Sequence, residues 1–284
     1  MTLSRPQILA LLEDNHLMPS RALGQNFVAD PNTVRRIVRI AGTQAGDHVV
    51  EVGGGLGSLT IALAEAGAEV VVVEKDRYLV PVLRSVLDRY LVREQSERVR
   101  VVQADAMELA WEELLEGHEE WSLVANLPYN VATPLVADLL DKVPAVARMT
   151  VMVQKEVGDR LVAQPGADAY GAVSVKIAYW AEAAMPGTVP SSVFVPRPRV
   201  GSALVSITRR PSPAVDAQVA TAPEIFRLVR AGFAQRRKML RRSLAGENVP
   251  NTAFEIAGID ERARAEELSV HDWGRLAAAA RSAV

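Results

Sequence analysis

Four consecutive residues, Asn126-Leu-Pro-Tyr129, bring together a side-chain amide, two backbone carbonyls and an aromatic ring. That set suits one kind of reactant, a planar, amide-like amine. Such an amine is a poor nucleophile because its lone pair is delocalised into the attached ring. The Asn126 side-chain oxygen and the carbonyl of Leu127 or Pro128 can each accept one of its two hydrogens. Two such bonds orient the amine and help localise the lone pair on nitrogen. Tyr129 can stack on the ring. No deep general base is needed, because the acidic product can release its proton to solvent or to the carbonyls. Positioning and preorganised polarity then supply most of the effect. Taken alone, the tetrapeptide also fits an ordinary turn. Its meaning depends on the elements that position it.

Those elements follow a regular pattern. His48–Val52, Glu69–Glu74, Val99–Ala104, Ser122–Asn126 and Arg148–Gln154 read as strands. Gly57–Ala66, Tyr78–Val92, Glu108–Leu115 and Thr133–Asp141 read as the helices between them. Apolar runs without alternation mean strands covered on both faces, so the fold class is α/β with a parallel, doubly wound sheet. Ser202–Ile207 adds a late strand, expected at the sheet's far end. A helix precedes the first strand, with Asp30 as its cap, Pro31 at its first position and Gly42 at its close. Upstream lies an irregular segment, Arg21-Ala-Leu-Gly-Gln-Asn-Phe-Val28.

Each strand end carries something useful. The first runs into Glu51-Val-Gly-Gly-Gly-Leu-Gly57. Alternating glycines allow a sharp turn and close approach of a ligand to the main chain. In such sheets the ligand sits outside the carboxyl ends of the strands. A dinucleotide fingerprint G-x-G-x-x-G counted from Gly53 would need glycine where Ser58 stands. The alternating form behind an acidic residue is similar to the first motif of S-adenosylmethionine (SAM) methyltransferases. Glu74 ends the next strand and can accept both hydroxyls of a ribose, which serves NAD and SAM equally. Asp105 ends the third strand. Its carboxylate can take an adenine amino hydrogen while the Ala106 amide donates to the ring, or it can cap the following helix.

With these residues in order, the sequence resembles the ribosomal RNA adenine dimethyltransferases of the KsgA/RsmA type. The resemblance rests on Leu23-Gly-Gln-Asn-Phe27, Glu51 to Gly57, Val73-Glu-Lys-Asp76, Gln103-Ala-Asp105, Asn126-Leu-Pro-Tyr-Asn130, Gln154-Lys-Glu-Val157, Phe194-Val-Pro-Arg-Pro-Arg-Val-Gly-Ser202 and Phe233-Ala-Gln-Arg-Arg-Lys-Met-Leu240. It implies a Rossmann-like, SAM-dependent methyltransferase sheet with a small all-helical C-terminal domain. The implied reaction is dimethylation of N6 on two adjacent adenines in the 3′-terminal hairpin loop of 16S rRNA, during small-subunit ribosome biogenesis. Gln25, Asn26 and Val28 are then expected to close over SAM. Gly53 would approach its methionine part, Glu74 its ribose, and Asp105 with Ala106 its adenine, with Gly55 and Lys75 also expected to bind the cofactor. Asn126 would lie between cofactor and target, with Tyr129 and Phe194 as aromatic walls. Phe194 also reads as a core residue, since valines flank it. The sequence departs from the family in three places: Gly54 where proline is frequent, Val28 where leucine is usual, and Arg-Arg-Ser at 241–243 where asparagines are common.

Composition bounds the rest. The chain has 284 residues, 49% hydrophobic and 23% charged, with 32 basic and 34 acidic residues for a net charge of −2. Any nucleic-acid binding therefore needs a local patch. One is present: Arg227, Arg230, Arg236, Arg237, Lys238, Arg241 and Arg242 occur with no acid among them. On one continuous helix, all but Arg236 fall within roughly 140° of one face. Arg197 and Arg199 extend the expected RNA contacts towards the target pocket. Cysteine is absent and the four histidines are scattered, so no metal site is expected. A cytoplasmic monomer without a membrane segment is the expectation. The domain reading is a methyltransferase domain over 1–208, a proline-containing linker over 209–222 and helices over 223–284. Three other readings remain open: an Erm-type methyltransferase of 23S rRNA, an NAD(P)-dependent oxidoreductase, and a non-enzymatic ribosome-assembly factor.

Overall fold

The valine runs do become strands buried on both faces, as Val70, Val71, Val72 and Val73 illustrate. The computed structural model describes residues 2–20, 22–118 and 120–282. Arg21, where the upstream segment was read to begin, and the last two residues of the chain lie outside them.

In chain order the strands are β1 (Phe27–Val28), β2 (His48–Val52), β3 (Glu69–Glu74), β4 (Val99–Gln103), β5 (Trp121–Asn126), β6 (Val146–Gln154), β7 (Ala181–Val189), β8 (Phe194–Val195) and β9 (Ser202–Arg209). The helices begin with α1 (Arg5–Asp14), α2 (Pro31–Ala41), α3 (Ser58–Glu65), α4 (Leu79–Tyr90), α5 (Arg93–Ser96) and α6 (Trp111–Leu114). They continue with α7 (Ala132–Lys142), α8 (Lys155–Val162), α9 (Ala172–Trp180), α10 (Ala222–Ala234), α11 (Leu240–Ser243), α12 (Asn251–Ala257) and α13 (Val270–Ser282).

Seven strands form one sheet in the order β4-β3-β2-β5-β6-β9-β7. Strands β2 to β6 are parallel, whereas β9 runs antiparallel to β6. The late strand is therefore internal, and β7 holds the edge. Chain order reverses between β2 and β5, which opens a crevice at their carboxyl ends. Register then lines up the chemistry. Val49 faces Ser122, so four residues further on β2 delivers Gly53 and β5 delivers Asn126. Val52 faces Val73 and Glu74 faces Gln103, which brings the ends of β3 and β4 to the same level. A separate two-stranded pairing joins β1 to β8, Phe27 opposite Val195 and Val28 opposite Phe194.

The chain divides into two compact units, one of residues 1–158 and 184–208, the other of 159–183 and 209–284. This corrects the expected boundaries. Tyr170, Val175 and Tyr179 are buried in the same apolar cluster as Phe226, Leu228 and Trp273, so 159–183 belongs to the second unit's core. The stretch 209–222 is not a free linker, because Val215 and Ala220 are buried in that cluster too. The basic helix is also shorter than expected. It stops at Ala234, and α11 resumes at Leu240. Between them Met239 pairs with Arg264, and the Leu240 amide donates to Ala263 at 2.8 Å, which draws the backbone out of the helix. No described helix is long and apolar enough to cross a membrane.

Gly232 lies inside α10 against the buried Trp273. A Cβ there would sit 2.7 Å from the indole. Replacing it by alanine gains about 1 kcal/mol of helix propensity but overpacks a filled core at a cost of about 1–3 kcal/mol. The clash wins, so Gly232→Ala is expected to lower stability by about 1 kcal/mol, measured by urea denaturation. An unchanged midpoint would contradict this packing.

Candidate active site

The first unit holds a pocket at the switch point, lined by the glycine loop, the ends of β3, β4 and β5, and residues Leu23 to Val28. Gly53 (φ 79°) and Gly55 (φ 56°) adopt left-handed backbone that a side chain would strain. A Cβ on Gly55 would also press on the Phe27 ring at 3.0 Å. A Cβ on Gly53 would lie 3.8 Å from the Asn126 carbonyl and 3.5 Å from Pro128. The glycine turn and the Asn-Leu-Pro-Tyr segment therefore meet, as the sequence pattern requires.

Residues 23–28 form a strap over this pocket. The Gln25 side-chain amide donates to Asp76 at 2.7 Å, and its oxygen accepts the Ser20 amide at 2.7 Å. Strand β1 adds the pairing with β8. The third tie is Asn126 itself, whose Nδ2 donates to the Asn26 carbonyl at 2.9 Å. That bond fixes the orientation of the amide. The Asn126 side-chain oxygen has no partner among the described residues.

The backbone carbonyls separate in the same way. Pro128 accepts from the amides of Val131 (3.1 Å) and Ala132 (3.2 Å), which starts α7. The Leu127 carbonyl has no partner among the described residues, while its amide is held by Met152 at 3.0 Å. Of the two carbonyls considered from sequence, Leu127 thus has the spare capacity. Tyr129 is half-buried, with its hydroxyl 3.0 Å from that of Ser202. Burial pushes its phenol pKa up.

Glu74 is almost fully buried, and burial raises its carboxyl pKa, although the backbone amides of Asp76, Gly55 and Lys75 work in the opposite direction. Its oxygens accept from Gly55 at 2.9 Å and Asp76 at 2.8 Å. Each oxygen keeps a second lone pair for a hydroxyl. Asp105 does not cap the next helix, which starts only at Trp111 behind Ala110; it closes a local turn by accepting from Met107 at 3.0 Å, and forms an ion pair with the exposed Lys75 at 2.5 Å. Lys75 and the Met107 amide hold its pKa low. Next to it, the buried Ala106 lines the pocket, and its amide has no partner among the described residues.

Phe194 is placed differently from expectation. It has no exposed surface, does not line the pocket, and belongs to the core with Leu3, Ile8 and Val28. As placed, its ring is core packing and not an open wall. The basic cluster is also partly neutralised in space. Arg227 pairs with Glu247, Arg241 with Glu261 at 2.8 Å and Arg236 with Glu266 at 2.6 Å. Arg230, Arg237, Lys238 and Arg242 have no carboxylate partner among the described residues. In the first unit, Arg197 bonds the Ser191 hydroxyl, and Arg199 is exposed.

Sequence reasoning missed two contributors. Asp76 anchors Gln25, a role that only the fold reveals. Glu51 was read simply as the acid before the glycines, yet it lines the pocket fully buried and accepts from Thr60 at 2.6 Å. Desolvation pushes its pKa up to about 8.

A family model described as ribosomal RNA adenine dimethylase matches residues 19–281. The chain belongs to the ribosomal RNA adenine dimethylase family. A protein from Kineococcus radiotolerans named ribosomal RNA small subunit methyltransferase A is 48% identical, covering 97% of this chain and 91% of the relative. A protein of the same name from Cutibacterium acnes is 47% identical, over 92% of this chain and 88% of the relative. Among solved structures, a dimethyladenosine transferase from Plasmodium falciparum superposes with a TM-score of 0.70 at 21% identity, covering 87% of this chain and 94% of that one. The 23S rRNA methyltransferase ErmE does so with a TM-score of 0.68 at 24% identity, covering 90% and 99%. These two likenesses establish the Rossmann-like methyltransferase fold. As a member of the dimethylase family, the chain is an rRNA adenine methyltransferase with SAM as its methyl donor.

The Glu51 carboxyl has a testable pH signature. Its folded pKa is raised, so the neutral form suits the folded state. Its contribution is intact below 4.5 and is lost as pH rises to about 8. Glu51→Gln keeps a neutral side chain at every pH. The melting temperature of this variant should gain on the parent steadily across that window. A constant difference between the two would contradict a neutral buried Glu51.

Proposed function

We propose that this dimethylase transfers methyl groups to N6 of two adjacent adenines in the 3′-terminal hairpin loop of 16S rRNA, acting on the small ribosomal subunit or its precursor. The observation that carries the amine chemistry is the anchored Asn126 amide. Its hydrogens are turned to Asn26 and its oxygen is left to accept. The relatives' shared name and near-complete coverage support the small subunit as substrate. A cytoplasmic monomer remains the working state.

The pocket fits SAM on its own terms. Gly53 and Gly55 leave room for the main chain to approach the methionine part. The Glu74 carboxylate, preset by two amides, has lone pairs for both ribose hydroxyls. The free Ala106 amide can donate to the adenine ring. Asp105 reaches the exocyclic amine only by sharing an oxygen already used by Met107 or Lys75. Gln25, Asn26 and Val28 form the covering strap. SAM supplies an electrophilic methyl group on a sulfonium.

The protein's part is orientation of the target. The Asn126 side-chain oxygen and the Leu127 carbonyl accept the two N6 hydrogens, which directs the lone pair along the line of attack. Tyr129 supplies a ring for stacking once the base is unstacked from its neighbours. The proton leaves from nitrogen after attack, and solvent or a carbonyl can take it. Positioned polarity does this work without a titrating base.

Asn126→Ala is expected to lower methyl transfer by about 100-fold or more. SAM binding should be largely retained, because Gln25 and β8 still hold the strap. Mass spectrometry of small-subunit rRNA after incubation with labelled SAM, with calorimetry for the cofactor, measures both. Near-normal turnover would remove Asn126 from the mechanism. Methylation confined to the large subunit would instead favour the Erm-type reading.

A second expectation concerns the helical unit. Replacing Arg237 and Lys238 by glutamate should weaken RNA binding and flatten its salt dependence, with SAM affinity unchanged. Filter binding across a salt series tests this, and an identical slope would mean those side chains do not meet phosphate.

A further inference from the structure

We propose that the catalytic unit carries its own RNA-phosphate surface, a band of arginines running from α2 to the 186–199 segment, separate from the basic residues of the helical unit. The inference rests on rRNA being the substrate.

The chain as a whole is slightly acidic, yet its charge is unevenly distributed. From Ala183 to Val215 there is no acidic residue, and from Asn15 to Gly46 there is one, Asp30. Asp30 is occupied in capping α2, where it takes the Thr33 amide at 2.8 Å and the Thr33 hydroxyl at 2.6 Å. The second stretch and residues 184–208 of the first both belong to the first unit. Arg36 of α2 donates to the carbonyls of Thr188 (3.1 Å) and Pro186 (3.4 Å). Arg5 donates to the carbonyls of Ser192 and Phe194. Arg197 bonds the Ser191 hydroxyl at 3.0 Å.

These acceptors are neutral, so they fix the arginines without cancelling their charge. A guanidinium has five donors, and one or two such bonds leave the others available. The remaining members are more open still. Arg35 bonds Asn32 at 2.8 Å and acts through its charge on the Asp30 carboxylate, while Arg39 and Arg199 have no partner among the described residues. All three are exposed. Arg35 and Arg39 stand one turn apart, where like charges slightly destabilise a helix. Against that, Arg39 lies in the last turn, where the helix dipole favours a cation, and Arg35 has Asn32 and Asp30 beside it, so both are kept on an exposed face that a polyanion can meet.

Position selects the partner. Arg5 holds the carbonyl of Phe194, which pairs with Val28 on the pocket wall. At Arg5 the band therefore borders the strap over the methyl-donor site. An RNA strand whose base enters the pocket has its flanking phosphates within reach of such a border. Arginine is suited to them by its planar, bidentate donors.

The test uses Arg35→Gln/Arg39→Gln and, independently, Arg199→Gln, which lies outside any helix. Binding of a small-subunit rRNA transcript is followed across a salt series, with SAM affinity and melting temperature measured in parallel. The slope of log K against log salt should shrink by roughly 1.5 for the double variant and about 0.8 for the single one. SAM affinity and melting temperature should stay at parental values. Parental slopes in both, with a reduced slope for the Arg237/Lys238 variant, would overturn this band while leaving the rRNA reading intact. Absence of salt-dependent binding in the parent protein would overturn both.

Discussion

One hydrogen bond organises the site: the Asn126 amide donating to the Asn26 carbonyl. A free asparagine side chain at a strand end samples several orientations, and its oxygen and nitrogen can exchange places by rotation. Tying the nitrogen to the strap removes that freedom and leaves a single acceptor unengaged among the described residues. The bond also joins two parts of the chain that are far apart in sequence, the segment before the sheet and the tip of β5. The strap's other ties, Gln25 to Asp76 and β1 to β8, close the same enclosure from different sides. Cover and amine acceptor are thus set by one network.

The sheet makes this possible by register alone. Because β2 and β5 are parallel neighbours, equal advances along each carry Gly53 and Asn126 to the same edge. The Gly55 amide of the turn and the Asp76 amide beyond β3 then preset Glu74 before any ligand arrives. Burial would leave that carboxylate poorly solvated, and the two N–H groups restore part of what water provided. The neighbouring Glu51 has no such amides, only the Thr60 hydroxyl, and its proton is correspondingly harder to remove. Two acids in one pocket therefore differ in character because their donors differ.

Much of this was legible in the chain. Unbroken valine runs marked the buried parallel strands, and the polar residue after each one marked the ligand edge. Local rules failed where tertiary contacts overrode them. Strand β7 contains Pro186 and Gly187, which weaken strand propensity and are tolerated here because the strand lies at the edge. The basic helix breaks because Met239 finds a partner in Arg264, a contact that periodicity cannot foresee. Acids distant in sequence, Glu247, Glu261 and Glu266, neutralise arginines that looked unopposed. The burial of Phe194 followed the bland reading that its flanking valines already suggested. Asp76 and the true extent of the second unit depend on long-range packing, so no local pattern announced them.

The engagement of the Pro128 carbonyl in starting α7 has a bearing on repeated turnover. Under the proposed reading, two oxygens remain for the incoming amine, one from Asn126 and one from Leu127. A fresh amine has a hydrogen for each. Once it bears a methyl group, only one hydrogen is left, and one oxygen must face carbon. The first and second rounds therefore meet the same walls with unequal complements. The second round must lean more heavily on the ring contacts that hold the base flat.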